Sequence, residues 1–203
     1  MLRLDHLAVV AGDLGDGVAV VEAGLGVALV PGGQHPHMAT HNRLLSMGDL
    51  YLEVIAPDPA APAPPHPRWF SMDAFSGPPR LTNWICASDD LDATLADAPP
   101  AAGSPVALKR GDFAWRMAIP ADGHLPFDDA FPALMQWDGA AHPTARLPDS
   151  GVRLLRLTVT HPQADALRAW LARHLADSRL VVEAGPAKAL HATFSTPGGT
   201  RSL

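Results

Sequence analysis

With 203 residues, 47% of them hydrophobic and 18% charged, the chain has the make-up of an ordinary globular protein and enough length to bury a sizeable core. A net charge of −6 without any basic run argues against nucleic acid as a partner. No stretch of about 18 apolar residues reads as a membrane span, and the opening MLRLDHLAVV reads as a strand instead of a secretory leader, so a cytoplasmic location is expected.

In chain order, a strand over 2–10 is followed by DLGDGVAVVEAGLG, where Leu14, Val18, Val21 and Leu25 recur at helical spacing. Asp13 suits the N-cap of this helix, and Gly24 or Gly26 its stop. VALVPGG (27–33), a His-rich connector, NRLLSMG (42–48) and LYLEVIAP (50–57) then supply three strands. The unit reads β-α-β-β-β. The proline-rich PDPAAPAPPHP (57–67) leads into HPRWFSMDAFSG (66–77), expected to form a linking helix.

A second round begins with the strand RLTNWICAS (80–88) and the short helix DDLDATLADA. SPVALKRGDFAW, RMAIPADG and the strand FPALMQWDG (131–139) complete it. A third, truncated round (β-α-β-β) starts at VRLLRLTVTHP, with a helix presenting Leu167, Trp170, Leu171 and Leu175 on one face. Its residue in the His6 register is Arg156. The single cysteine, Cys86, lies inside an apolar strand and reads as a small core residue.

The repeat frames two polar residues. His6 and Glu53 each sit in an otherwise apolar strand, and Asn83 and Gln136 occupy similar strands of the second round. The intervals are close, 47 positions from 6 to 53 and 53 from 83 to 136. Alternation places Leu4, His6, Ala8 and Val10 on one face of the first strand, and Tyr51, Glu53 and Ile55 on one face of another. A carboxylate between Leu52 and Val54 must meet a metal, a cation, hydrogen-bond donors or a wet cleft, because burying it unpaired is very costly. Imidazole plus carboxylate suits a divalent ion such as Zn, Fe, Ni or Mn, although two ligands fall short of the three or four that hold a metal tightly. A metal-free hydrogen-bonded pair lining a cleft is the other reading. His35, His37 and His41 in the connector could line the same site or stand exposed in a hairpin loop, and Arg110 could pair with a substrate carboxylate. Trp84, Trp115 and Trp137 read more readily as core than as ligand contacts.

LDHLAVV, THNRLLSMGDLYLEVIAPDP, LTNWICASDDLD, RGDFAW and QWDGAAHPTARLPDSGVRLLRLTVTHP together resemble the glyoxalase-like domain family of the vicinal oxygen chelate superfamily. The resemblance implies an α+β fold of paired β-α-β-β-β modules, their strands forming a cupped mixed sheet around a cleft. It assigns residues 1–145 to this domain, with modules at 1–60 and 78–140 joined by 61–77, and a partial β-α-β-β module at 146–203 packed on it. Family ligands fall on the first and fourth strand of each module, which carries over to His6, Glu53, Asn83 and Gln136. Only His6 and Glu53 are good metal ligands; the two amides bring no charge. The pattern of His35, Thr40 and Asn42 before a YLE strand is also similar to the family.

The resulting expectation is a protein that binds a small oxygenated metabolite in the cleft. As an enzyme it would be a divalent-metal-dependent lyase, isomerase or dioxygenase. His6 and Glu53 would then be the ligands, Glu53 a general base, and His35, His41, Asn42, Asn83, Gln136 and Arg110 the substrate contacts. The alternative is a metal-free binding or sequestration protein of the resistance type. With both modules in one chain, a homodimer is compatible with the cleft but not needed to build it.

Overall fold

A computed structural model describes residues 1–203. In chain order it contains β1 (Leu2–Val10), α1 (Leu14–Leu25), β2 (Val30–His35), β3 (Thr40–Ser46), β4 (Tyr51–Pro57), β5 (Arg80–Ser88), α2 (Leu91–Ala96), β6 (Ser104–Arg110), β7 (Phe113–Ile119) and β8 (Ala133–Trp137). The last quarter adds β9 (Arg153–His161), α3 (Ala164–His174), β10 (Leu180–Ala184), β11 (Ala189–Thr196) and β12 (Gly199–Ser202). No helix is long and apolar enough to cross a membrane.

Local chemistry accounts for the elements. The Asp13 side chain accepts the Asp16 N–H at the start of α1, and Gly26 closes the helix at φ 70° in the left-handed region. Leu14, Val21 and Leu25 are its buried stripe. Asp90 caps α2 through the Ala93 N–H. Residues 66–77 hold only one 3-10 turn, Met72–Ala74, instead of the expected linking helix. Phe70 and Ser71 just before it take positive φ values of 60° and 52°, a backbone shape that no α-helix can contain.

The first eight strands form one mixed sheet in the order β2-β3-β4-β1-β5-β8-β7-β6. In each half the first strand runs parallel to the last, β1 with β4 and β5 with β8, and the halves join through antiparallel β1 and β5. The sheet curls into the cup expected for paired modules. The smaller sheet, β10-β9-β11-β12, carries the third round and ends in a β11–β12 hairpin.

Two apolar clusters lie on opposite faces of the large sheet. The outer one joins Leu7, Val9 and Trp84 to α1 and to Leu157, Leu167, Trp170 and Phe194 of the C-terminal part. Trp170 packs on Phe131 with ring centroids 4.5 Å apart. Cys86 belongs to this outer core, and burial pushes its thiol pKa up, which leaves it inert. The inner cluster fills the cup with Ala8, Val10, Ile55, Ile85, Leu108, Trp115 and Met135.

The first strand departs from simple alternation. The β1–β5 ladder slips between Leu4 and His6, so Asp5 is an extra residue in the strand. Leu4 therefore belongs to the outer core and not to the His6 face, while Ala8 and Val10 remain inside with His6.

Candidate functional site

His6 and Glu53 meet inside the cup, because β1 and β4 pair with His6 opposite Tyr51 and Ala8 opposite Glu53. The two residues are 6% and 5% exposed, and His6 Nε2 lies 3.7 Å from Glu53 Oε2. The other ring nitrogen, Nδ1, is 2.6 Å from Asp5 Oδ1. That contact assigns the proton to Nδ1, donated to the carboxylate, and leaves the Nε2 lone pair facing Glu53. Tyr51 stacks on the His6 ring at 4.4 Å and 12°.

Asp5 is the hidden anchor of this pair. It also accepts the indole N–H of Trp137 at 2.9 Å and bonds His142 Nε2 at 3.1 Å. Burial works against its charge, but the hydrogen bonds from His142 and His6 outweigh it and hold the carboxyl well below its ordinary value. Asp5 is thus a buried anion with three partners. Sequence reasoning passed over it and over His142, and read Trp137 as core. The available signal was an acid directly beside a histidine in an apolar strand.

Glu53 is held from its other side. Asn42 Nδ2 donates a short hydrogen bond to Glu53 Oε1, while the Gly33 N–H donates to Asn42 Oδ1 at 2.7 Å. Asn42 on β3 faces Ile55 of β4, so it points into the cup and fixes one carboxylate oxygen. The β2–β3 ladder slips at Gly32 and Gly33, and Gly32 is required there. A Cβ on Gly32 would stand 2.0 Å from Asn42 Oδ1, and one on Gly33 would stand 2.7 Å from Arg110 Cδ. Gly32→Ala is expected to lower stability by about 1–3 kcal/mol through this overpacking, read as a shift of the urea midpoint at unchanged slope.

His35 also enters the cavity. It is buried between Trp69 and Trp115, edge-on to both. Its Nδ1 is 3.1 Å from Thr40 Oγ1 and its Nε2 is 3.1 Å from Arg110 Nη1. Since Arg110 only donates, Nε2 accepts and the ring is neutral. Burial pulls its pKa down to about 4, with Glu53 opposing and Arg110 adding to the fall. Arg110 sits on β6, across the open side of the cup from β2, and reaches in from that edge. The result is a small cavity of about 30 Å³ walled by His6, Glu53, His35, Tyr51, Arg110 and Trp137, with Trp69 and Phe70 of the linking segment also in its lining.

The remaining expected contacts lie elsewhere. Gln136 points out of the cup, where its Oε1 accepts the Leu91 N–H at the start of α2 at 2.9 Å. The reason is register. The β5–β8 ladder pairs Ile85 with Ala133 and Ala87 with Met135, all inward-facing, so Gln136 falls one residue off and on the other face. Its neighbour Trp137 takes the inward place. Asn83 does face inward, beside Ala8, but lines a different cavity from His6 and Glu53. His41 alternates with Asn42 on β3 and is absent from the cavity wall. His37 is exposed and stands against His66, ring centroids 4.6 Å apart.

A family model described as glyoxalase-like domain matches residues 4–175. The chain belongs to the glyoxalase-like domain family. This places it in the vicinal oxygen chelate superfamily, in agreement with the cupped sheet. No curated protein matches it by sequence. Among solved structures, a hypothetical protein from Staphylococcus aureus superposes with a TM-score of 0.61 at 12% identity, covering 93% of this chain and 88% of that one. Methylmalonyl-CoA epimerase from Mycobacterium tuberculosis aligns over 68% of this chain and 88% of its own, with a TM-score of 0.44 and 18% identity. Likeness at these identities concerns the fold alone.

The superfamily often uses a divalent metal, which the donors of this cavity would have to hold. His6 Nε2 and Glu53 Oε2 converge, but no group of three or more His, Cys, Asp or Glu side chains is placed to hold an ion. Gln136 faces outward, Asn83 lies in another cavity, and His35 Nε2 is occupied by Arg110. Two donors do not make a tight site of the glyoxalase type. The residues present do not fit that metal.

Proposed function

We propose that this glyoxalase-like protein binds a small oxygenated metabolite at the His6–Glu53 cavity and transfers a proton to or from a carbon next to a carbonyl, with Glu53 as the general base. The observation that carries the reading is the buried relay Asp5–His6–Glu53 beside the Arg110 guanidinium. Asn42 engages Glu53 Oε1, so Oε2 is the oxygen left to accept a proton. Asp5 orients the imidazole, whose Nε2 can hold that proton or return it. Arg110 supplies positive charge for an oxygen that becomes an enolate as the proton leaves. No step in this scheme requires a metal.

A cavity of about 30 Å³ has room for water and not for a metabolite. Trp69 and Phe70 belong to a segment with little regular structure, and on this reading its displacement opens the site. The aromatic walls also support sequestration without turnover, in which the same groups only hydrogen-bond a ligand.

The test is proton exchange. A panel of 2-oxo and 2-hydroxy carboxylates in deuterium oxide, followed by proton NMR, is expected to include a compound whose α-proton the protein exchanges. Glu53→Gln should slow that exchange by roughly 10²–10⁴-fold. Exchange unaffected by Glu53→Gln rejects the base assignment, and saturable binding with no exchange across the panel favours sequestration.

A further inference from the structure

A second cavity lies apart from the one between His6 and Glu53. It encloses about 590 Å³ where β5 enters the sheet, bounded by α1, the linking segment and the C-terminal sheet. A volume of that size is typical of small-molecule sites. Val9, Val21, Leu190 and Leu203 give it apolar walls, and Phe70 is shared with the smaller cavity, dividing the two.

Its polar wall is incompletely paired. Asn83 is 1% exposed, yet neither its Oδ1 nor its Nδ2 has a hydrogen-bond partner, and the Thr82 hydroxyl is also unpartnered. Orphaned polar atoms at a buried wall are rare and costly unless something in the cavity completes them. Lys188, half-buried on the loop before β11, donates to the Thr82 carbonyl at 2.7 Å and has no carboxylate within ion-pair distance. The one acid in the lining, Asp129, is already committed: Ser71 Oγ donates to its Oδ2 and the Leu125 N–H to its Oδ1. Arg80 adds a second positive charge at the rim, its guanidinium over the Phe75 ring. The cavity therefore combines two cations against one engaged carboxylate with an amide able to donate and accept.

We infer that this cavity is a binding site for a monocarboxylate with an apolar tail, its carboxylate on Lys188 and the Asn83 amide and its tail among Val9, Val21, Leu190 and Leu203. A carboxylate satisfies the Lys188 N–H groups that Thr82 leaves free and accepts from Asn83 Nδ2. A hydroxyl next to the carboxylate would complete Asn83 Oδ1. Buried charge pairs of this kind discriminate strongly against neutral and cationic analogues, since an unpaired ammonium would remain in the wall.

Calorimetric titration of the full-length protein with octanoate, octan-1-ol and octylamine tests the assignment. Octanoate should bind at least about tenfold more tightly than the alcohol or the amine. Lys188→Met should reduce octanoate affinity to that of the alcohol, and Asn83→Leu should weaken it, while Glu53→Gln leaves it unchanged because that carboxylate serves the other cavity. Should either variant fail to fold, NMR of the wild-type complex serves instead, with cross-relaxation expected between the octanoate tail and the Leu190 and Leu203 methyl groups. No octanoate binding, equal affinity for the alcohol, Lys188→Met binding like wild type, or loss of binding in Glu53→Gln each overturns the proposal.

Discussion

Asp5→Ala is expected to destabilise the protein by about 3–5 kcal/mol, the cost of breaking a buried charged network by removing one partner. The carboxylate accepts from Trp137 and meets both His6 and His142, so its loss strands three polar groups in the inner face of the sheet. Against a typical total stability of roughly 5–15 kcal/mol, that loss is large enough to read in a urea or thermal melt. Asp5→Asn keeps the shape but offers one acceptor oxygen where Trp137 and His6 now use two. It should cost less stability, yet release His6 from the Nδ1–H tautomer and with it the orientation of Nε2 towards Glu53. A melt of Asp5→Ala within about 0.5 kcal/mol of wild type, the range of an ordinary surface substitution, would show that the anchor has been misread. The pH dependence has a definite sign. The folded carboxyl titrates below its ordinary value of 3.8, so its contribution is complete above that pH and is lost as the pH falls further.

Above that range the acid sensitivity belongs to His35. Its folded pKa is about 4 against an ordinary 6.5, so the unfolded chain binds a proton that the folded chain refuses throughout that window. Stability should therefore fall as the pH drops from 6.5 to 4, by about 3 kcal/mol if the difference is fully expressed. The cause is geometric. The ring is packed between Trp69 and Trp115 with Arg110 on Nε2, and a protonated ring would turn that contact into two opposed cations. His35→Gln retains an acceptor for Arg110 and cannot titrate. Urea midpoints measured for both proteins at pH 7 and pH 4.5 should show a smaller drop in the variant. Equal drops would mean that His35 takes up its proton without disturbing the fold.

Much of the cup was legible along the chain. The spacing of Leu14, Val18, Val21 and Leu25 with Asp13 ahead of them defines α1, and the doubled β-α-β-β-β order gives the two modules, whose junction through β1 and β5 came from the tertiary structure. Glu53 was legible because a carboxylate in a strand as apolar as LYLEVIAP has to be satisfied by something. Gln136 shows the limit of such reading. Its strand type and interval matched Glu53, but facing is decided by ladder register, and an odd offset turns the amide outward to cap α2. Asp5 shows the complementary limit. A bulge between Leu4 and His6 cannot be seen in an alternating pattern, and without it Asp5 would face away from the ring it orients. The linking helix expected at 66–77 is a loop with two left-handed residues, held by tertiary bonds such as Ser71 N–H to the Gly123 carbonyl at 2.9 Å.

By itself the sequence determined the α+β class, the repeated strand order, the glyoxalase-like family, and that Glu53 needs a partner, with His6 as one candidate. The class and the modules follow from periodicity and the duplicated strand order, the need of Glu53 for a partner follows from the cost of a lone buried charge, and the family follows from the resemblance of motifs such as LDHLAVV and LTNWICASDDLD. Only the tertiary structure decided that Asp5 joins His6, that of the expected contacts Asn42, His35 and Arg110 gather around His6 and Glu53 while His41 and Gln136 do not, and that Asn83 lines instead a second, larger cavity with Lys188. Those outcomes depend on bulges, on register and on which segments pack across the cup, and contacts between residues as distant as 5 and 137 or 82 and 188 leave no local trace.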